Sequence, residues 1–173
     1  AGADQLVMTM VLDVSTEMAA RRALDKAEDR FAKSFNFSPL SMTITRMSDG
    51  LFLEANPANE RVLGFSREDL VGRTSIEVGL WVTQAERDAY IAALSRDGYL
   101  LGFETRIRNR RGDLIDVRVW SEHIEIDNQP CDLALTLNVS EEKRQQAMWR
   151  NVAKGVSGQT GEALFRSVVE QLA

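Results

Sequence analysis

Histidine, cysteine and proline are scarce in this chain, with one His, one Cys and three Pro in 173 residues. A lone histidine, His123, excludes metal sites that need two, and any Ser-His-Asp arrangement would rest on it alone. It falls in the strand-like run VRVWSEHIEI, away from any helix, which reads as a structural or surface role. A lone cysteine, Cys131, cannot form an internal disulfide and fits a reducing compartment. It opens a strand-like run just after Pro130 and reads as a small core residue. No apolar run is long enough to span a bilayer, and no basic segment precedes an apolar one as in a signal peptide. A cytoplasmic location without direct membrane contact is therefore expected for this segment, which leaves open an anchor elsewhere in a longer parent protein. There is no phosphate-binding loop of the Walker type and no G-x-G-x-x-G. No catalytic residue and no metal ligand are assigned, and the chain is expected not to be an enzyme. A net charge of −5 argues against general nucleic-acid binding.

What the chain does have is a short pattern that occurs twice. Residues 6–17 read LVMTMVLDVSTE and residues 133–142 read LALTLNVSEE. Aligning Asp13 with Asn138 pairs Val14 with Val139, Ser15 with Ser140 and Glu17 with Glu142. Each copy is an apolar strand-like run, a polar cap and a charged helical stretch. An internal repeat of this kind reveals how a chain is organised. Here it implies the last strand of one module (residues 1–15), a connector helix (16–35), one complete module (36–140), an outgoing helix (141–153) and a further start (154–173). The chain would then be a slice of a longer tandem protein.

The connector contains strong helix formers, and Leu24, Ala27, Phe31 and Phe35 recur at helical spacing. This apolar stripe suits packing on its own domain or pairing with a second copy in a coiled coil. Ser38-Pro39 breaks it. A strand from Met42 to Met47, the turn Ser48-Asp49-Gly50 and a returning strand over 51–55 follow. Asn56-Pro57 suits a helix start, with Asn as N-cap. That helix should end at Gly64, and Ser66 should cap another over 67–71. Thr83 should open a longer helix through Ser95, burying Ala89, Tyr90, Ala93 and Leu94, with Asp97-Gly98 ending it. Residues 99–109, 113–126 and 131–139 are β-like, and the connectors 110–112 and 127–130 are turn-rich. Short connectors favour an antiparallel meander. Five strands then need helices on one face, which makes an α+β domain.

This ordered set resembles a PAS domain, a sensory module of bacterial signalling proteins. The residues that carry the likeness are Ser38-Pro39, Asp49-Gly50, Asn56-Pro57-Ala58-Asn59, the stretch LGFSREDLVGRT over 63–74, Phe103-Glu104-Thr105-Arg106, Arg111-Gly112-Asp113 and Asn138-Val139-Ser140. The family commonly has Asp-Ile-Thr at the last position, and Asn138 departs from it. Residues 152–157 and 160–165 resemble the opening of a GAF domain, another sensory module. The resemblance implies a five-stranded antiparallel sheet with short helices on one face. It also implies a homodimer, neighbouring sensory and output domains in the same protein, and an output of the histidine-kinase or cyclic-di-GMP type. A ligand-free spacer and a flavin-binding redox sensor are the alternative functions. No cofactor is identified. The helix over 83–95 lacks the histidine that PAS haem sites generally use, and Cys131 lacks the motif of flavin-thiol photosensors.

A ligand cavity, if present, is expected between the inner sheet face and the middle helices, with Phe52, Leu63, Ile76, Trp81, Tyr90, Leu94, Phe103 and Val119 as its walls. Trp81 and Trp120 could each line it or serve as plain core. Arg106, Arg108 and Arg110 alternate on one strand face, with Arg111 and Arg118 nearby. They suit a solvated face paired with Glu104, Glu122 or Glu125, or an anionic partner. Asn138, Val139, Ser140 and Arg111 are the expected coupling residues. Ser140 should cap the outgoing helix, and a shift of the last strand should re-aim that helix.

Overall fold

The computed structural model describes residues 15–160, with side chains described from 18 to 152. The expected opening strand (6–14) and residues 161–173 of the expected GAF start lie outside the described residues. The chain divides into two compact units at Phe37/Ser38.

The first unit is the helix α1 (Ser15–Phe37). Leu24 and Phe31 of its apolar stripe are 56% and 51% exposed. The Phe31 ring stacks on that of Phe35 at 5.6 Å. Its polar faces carry i,i+4 ion pairs such as Lys33 with Asp29 at 2.7 Å. Such pairs add only about 0.2–0.5 kcal/mol each to an isolated helix.

The second unit runs β1 (Ser41–Arg46), β2 (Phe52–Ala55), α2 (Ala58–Leu63), α3 (Arg67–Leu70), α4 (Gln84–Asp97), β3 (Tyr99–Arg108), β4 (Leu114–Ile126), β5 (Gln129–Asn138) and α5 (Ser140–Thr160). The five strands form one sheet in the order β2-β1-β5-β4-β3. Every pairing is antiparallel. The architecture is therefore the expected α+β one. Two hairpins are sealed side by side through β1 and β5. The β4–β5 hairpin turns in two residues, because Asp127 and Asn128 both take positive φ (50° and 59°). That is the type I′ geometry, whose twist matches the strands it joins, and Asp and Asn tolerate it. Gln129 and Pro130, expected in the connector, accordingly already belong to β5.

Helix boundaries follow their caps. Thr83 and Ser66 each form a reciprocal capping box, with Glu86 and Asp69 respectively. Asn56 is the exception. It was expected to cap α2, but Pro57 holds that position without a side-chain bond. The Asn56 side chain instead accepts from the Met42 N–H and donates to the Leu40 carbonyl, both at 2.9 Å. Asn59 donates to the Met42 carbonyl and accepts from the Ser41 hydroxyl at 2.6 Å. This buried network fixes α2 to β1, and a fully satisfied polar network sets one geometry where apolar packing alone would allow several.

On α4, Tyr90 and Leu94 are buried as expected and Ala93 is half-buried, whereas Ala89 is exposed. The buried face is completed by Arg87, three residues before Tyr90. The core beneath it centres on Leu70, Leu94 and Val117. Burying each contributes roughly 1.5–3 kcal/mol relative to leaving it exposed. The outgoing helix α5 reaches Thr160, beyond residue 153. No helix among the described residues is long and apolar enough to cross a membrane.

Removing the Thr83 cap tests the α4 boundary. Thr83→Ala is expected to lower stability by about 1 kcal/mol. Urea unfolding would show this as a lower midpoint with an unchanged slope.

Candidate functional site: a roofed polar cavity

The segment from residue 72 to 81 is laced to both edges of the sheet. On the β2 side, the Phe52 N–H donates to the Arg73 carbonyl (2.9 Å) and the Ser75 N–H to the Gly50 carbonyl (2.9 Å). On the β3 side, the Arg108 N–H donates to the Leu80 carbonyl (2.8 Å), and Trp81 bridges to Ile107. Between the inner sheet face and this segment with α2 and α4 lies a cavity of about 60 Å³. At roughly 15 Å³ per water, that is room for about four waters or a molecule of a few heavy atoms.

Five residues expected at the cavity wall line it: Phe52, Leu63, Trp81, Tyr90 and Val119. Trp81 packs on Tyr90 at 5.2 Å. Three expected residues do not line it. Leu94 is fully buried core. Phe103 packs edge-on against Tyr90 at 5.6 Å. Ile76 is 43% exposed, because the chain turns there and buries its neighbour Ser75 instead. Trp120 is half-buried and does not line the cavity either.

The polar half of the wall was not anticipated. Asp132, 4% exposed, accepts from the Tyr90 hydroxyl at 2.9 Å. Tyr90 in turn shares a short hydrogen bond with Ser121. With the Tyr90 hydroxyl donating to Asp132, Ser121 is the donor to Tyr90. Burial pushes the Asp132 carboxyl up to about 6, against the opposing pull of the Tyr90 and Ser121 hydroxyls. Burial, and then the charge of Asp132, raises the Tyr90 phenol well above its usual value. Among the described residues, Asp132 Oδ1 and Ser75 Oγ are buried without a hydrogen-bond partner. Arg87 also lines the cavity and is buried, donating from Nη2 to the Met47 carbonyl at 3.0 Å.

Sequence signals for these groups were uneven. Asp132 shares the inward register of Ala134 and Thr136, so a carboxylate interrupts the inner face of an otherwise apolar strand. Arg87 falls at helical spacing with Tyr90 and Leu94. Nothing in the sequence singles out Ser75.

The exit from the sheet is a second polar assembly. The Val139 N–H donates to the Asp116 carbonyl at 2.9 Å. Ser140 was expected to cap α5. Its hydroxyl instead accepts from the Asp116 N–H at 2.9 Å, while Asn138 Oδ1 accepts from the Ser140 N–H at 3.0 Å. Arg111 is exposed and forms no ion pair among the described residues, its N–H donating to Asn109 Oδ1 at 2.9 Å. The arginine of this turn that pairs is Arg110, with Asp69 on α3. Lys143 of α5 reaches Glu104 on β3 (3.0 Å) and Asp116 on β4 (3.1 Å). Arg118 pairs with Glu104 (2.8 Å) and Glu142 (3.7 Å). His123 is exposed and Cys131 is fully buried, and burial raises the thiol. Among the described residues, no cluster of three His, Cys, Asp or Glu could hold a metal ion.

The raised Asp132 carboxyl gives a signed pH prediction. Between about pH 4 and pH 6 the unfolded chain loses this proton while the folded chain keeps it. Stability should therefore fall as pH rises through that window, by on the order of 3 kcal/mol, and the penalty should then stay constant. Asp132→Asn removes the ionisation. By thermal unfolding, its Tm should exceed that of the parent at pH 8, and the two should converge near pH 4.

No family model and no curated relative matches the sequence. Solved structures do match the fold. The PAS domain of an HTR-like protein from Haloarcula marismortui is 21% identical, with a TM-score of 0.57 over 70% of this chain and 98% of its own. A PAS domain from a two-component sensor histidine kinase is 20% identical, with a TM-score of 0.56 over 66% and 98%. The PAS domain of a LuxR-family transcriptional regulator from Burkholderia thailandensis, in complex with ethanol, is 14% identical, with a TM-score of 0.53 over 64% and 97%. Five antiparallel strands in the order β2-β1-β5-β4-β3, covered by short helices, therefore give this domain the PAS fold.

Proposed function

We propose that this chain is a sensory and dimerisation PAS module that relays a small-molecule cue to an output domain outside the chain. A histidine kinase or a cyclic-di-GMP enzyme is the output that the sequence resemblance implies. The chain itself is read as non-enzymatic. The observation that carries the proposal is the sharing of two strands. Strands β4 and β5 put Val119, Asp132, Ala134 and Thr136 into the cavity wall. The same strands hold the start of α5 through Asp116 and Asn138. A molecule that fills the cavity or pairs its polar groups changes the packing of these strands. The Asp116 and Lys143 bonds then pass the change to the first turn of α5. This is a two-state element biased by differential contacts at one site.

The size of the cavity favours a small cue over a flavin, whose tricyclic ring needs this space to open. The exposed stripe of α1 supports the dimer, since Leu24 and Phe31 are left for a second copy to cover.

Native mass spectrometry of gently purified protein, then denaturing mass spectrometry of the same sample, tests the reading. A dimer that releases a small molecule is expected. A bare dimer would favour the ligand-free spacer, and a clean monomer would remove the dimerisation claim. The relay has its own test. Lys143→Ala should change global stability by less than about 1 kcal/mol, because its ion pairs are solvent-accessible. It should nevertheless speed hydrogen exchange in the first turn of α5, and unchanged exchange there would count against the clamp.

A further inference from the structure

Arg87 is a cation in an unusual position. Its side chain is 8% exposed, and the nearest carboxylate, Asp88, is 3.9 Å away and itself 63% exposed. A guanidinium carries five N–H donors, and a buried charge is expensive unless it is paired and hydrogen-bonded. The Arg87 guanidinium has one hydrogen bond among the described residues, to the Met47 carbonyl. Ser75, 4% exposed, lines the same cavity with its hydroxyl unpartnered among the described residues.

Gly50 shows that these two groups converge. A methyl built on it would lie 2.5 Å from Ser75 Oγ, 3.0 Å from Arg87 Nε and 3.1 Å from Arg87 Nη2. Because Gly50, at a φ of +74°, has no side chain, both groups can approach the backbone there, and all three residues line the cavity. A hydroxyl and the Nε/Nη2 edge of a guanidinium facing one corner make a donor set for an oxyanion, and planar two-point recognition of carboxylates is what arginine does best. The wall nearby is largely apolar, with Phe52, Leu80, Trp81, Ile91 and Ile107. Those side chains suit a hydrocarbon tail.

We propose that Arg87 and Ser75 anchor the carboxylate of a short-chain organic acid of about two to four carbons, a size set by the space available. This deepens the sensory reading and rests on it. Asp132 lines the same cavity, and its like charge, when ionised, keeps the carboxylate at the Arg87 corner.

The test titrates the whole 173-residue chain with propionate and with its neutral isostere propionamide, followed by amide chemical shifts in NMR. Propionate should saturate, shift the amides of Gly50, Ser75 and Arg87, and bind at least about tenfold more tightly than propionamide. Arg87→Met should abolish that preference. Ser75→Ala removes only an unpartnered hydroxyl, so it should fold and yet weaken propionate several-fold while leaving propionamide unchanged. Equal affinity for the two probes, or a preference that survives both substitutions, overturns the acid anchor and leaves a cavity that senses neutral molecules. If neither probe shifts the cavity amides, the acid anchor fails, while the small-molecule reading stands or falls on the mass-spectrometric test.

Discussion

The hydroxyl of Tyr90 ties α4 to two central strands at once, through Ser121 on β4 and Asp132 on β5. Beside that tie, the Arg87 bond to the Met47 carbonyl and the His123 N–H bond to the Gly98 carbonyl hold the two ends of α4, and the rest of the contact is largely apolar, which resists separation but not sliding. Directional bonds in a dry interior fix one register. The arrangement also explains why a carboxylate is present in the wall at all. Asp132 accepts a hydrogen bond from the phenol, and its burial holds its own proton to unusually high pH. The packing of Trp81 and Phe103 around the Tyr90 ring depends on the position of that hydroxyl.

A second tie sets the other end of the helical layer. Asn56, Asn59 and Ser41 lock α2 to β1 with buried hydrogen bonds. The cavity lies between these two polar anchors, under a segment stitched to both outer strands. Its walls are held apart by bonds whose geometry is fixed, so side chains cannot simply collapse into it. A void in a plain apolar core would be a packing fault. A void framed by polar networks, which presents unpartnered polar atoms among the described residues, is a candidate site.

Much of this was legible in the sequence, and for definite reasons. The strands and their hairpins followed from turn chemistry, since Asp49-Gly50, Gly98 and the 127–128 turn sit where the chain reverses, but no turn signal places β1 beside β5. Helices α3 and α4 were legible because Ser66 and Thr83 carry capping boxes. Five cavity residues could be placed because large apolar side chains on inward positions have few other destinations. The polar wall was not legible, since a buried Asp or Arg looks like a surface residue until its partners are known. Asn56 misled for a related reason. Its cap preference is local, and the bonds it makes to β1 are with residues more than a dozen positions away. Ile76 was misplaced because the turn after Ser75 reverses which neighbour faces inward.

The join between sheet and α5 is made largely by the main chain of Asp116, whose N–H and carbonyl hold Ser140 and Val139. The main-chain part of this join is indifferent to side-chain identity at the position that supplies it, and the Asp116 carboxylate adds its bond to Lys143. The main-chain part survives exchange of residues so long as the strand register survives. A domain joined in this way can be set in front of different helices without redesigning its interior. The departing helix need bring only the small hydroxyl and the lysine that bond to Asp116.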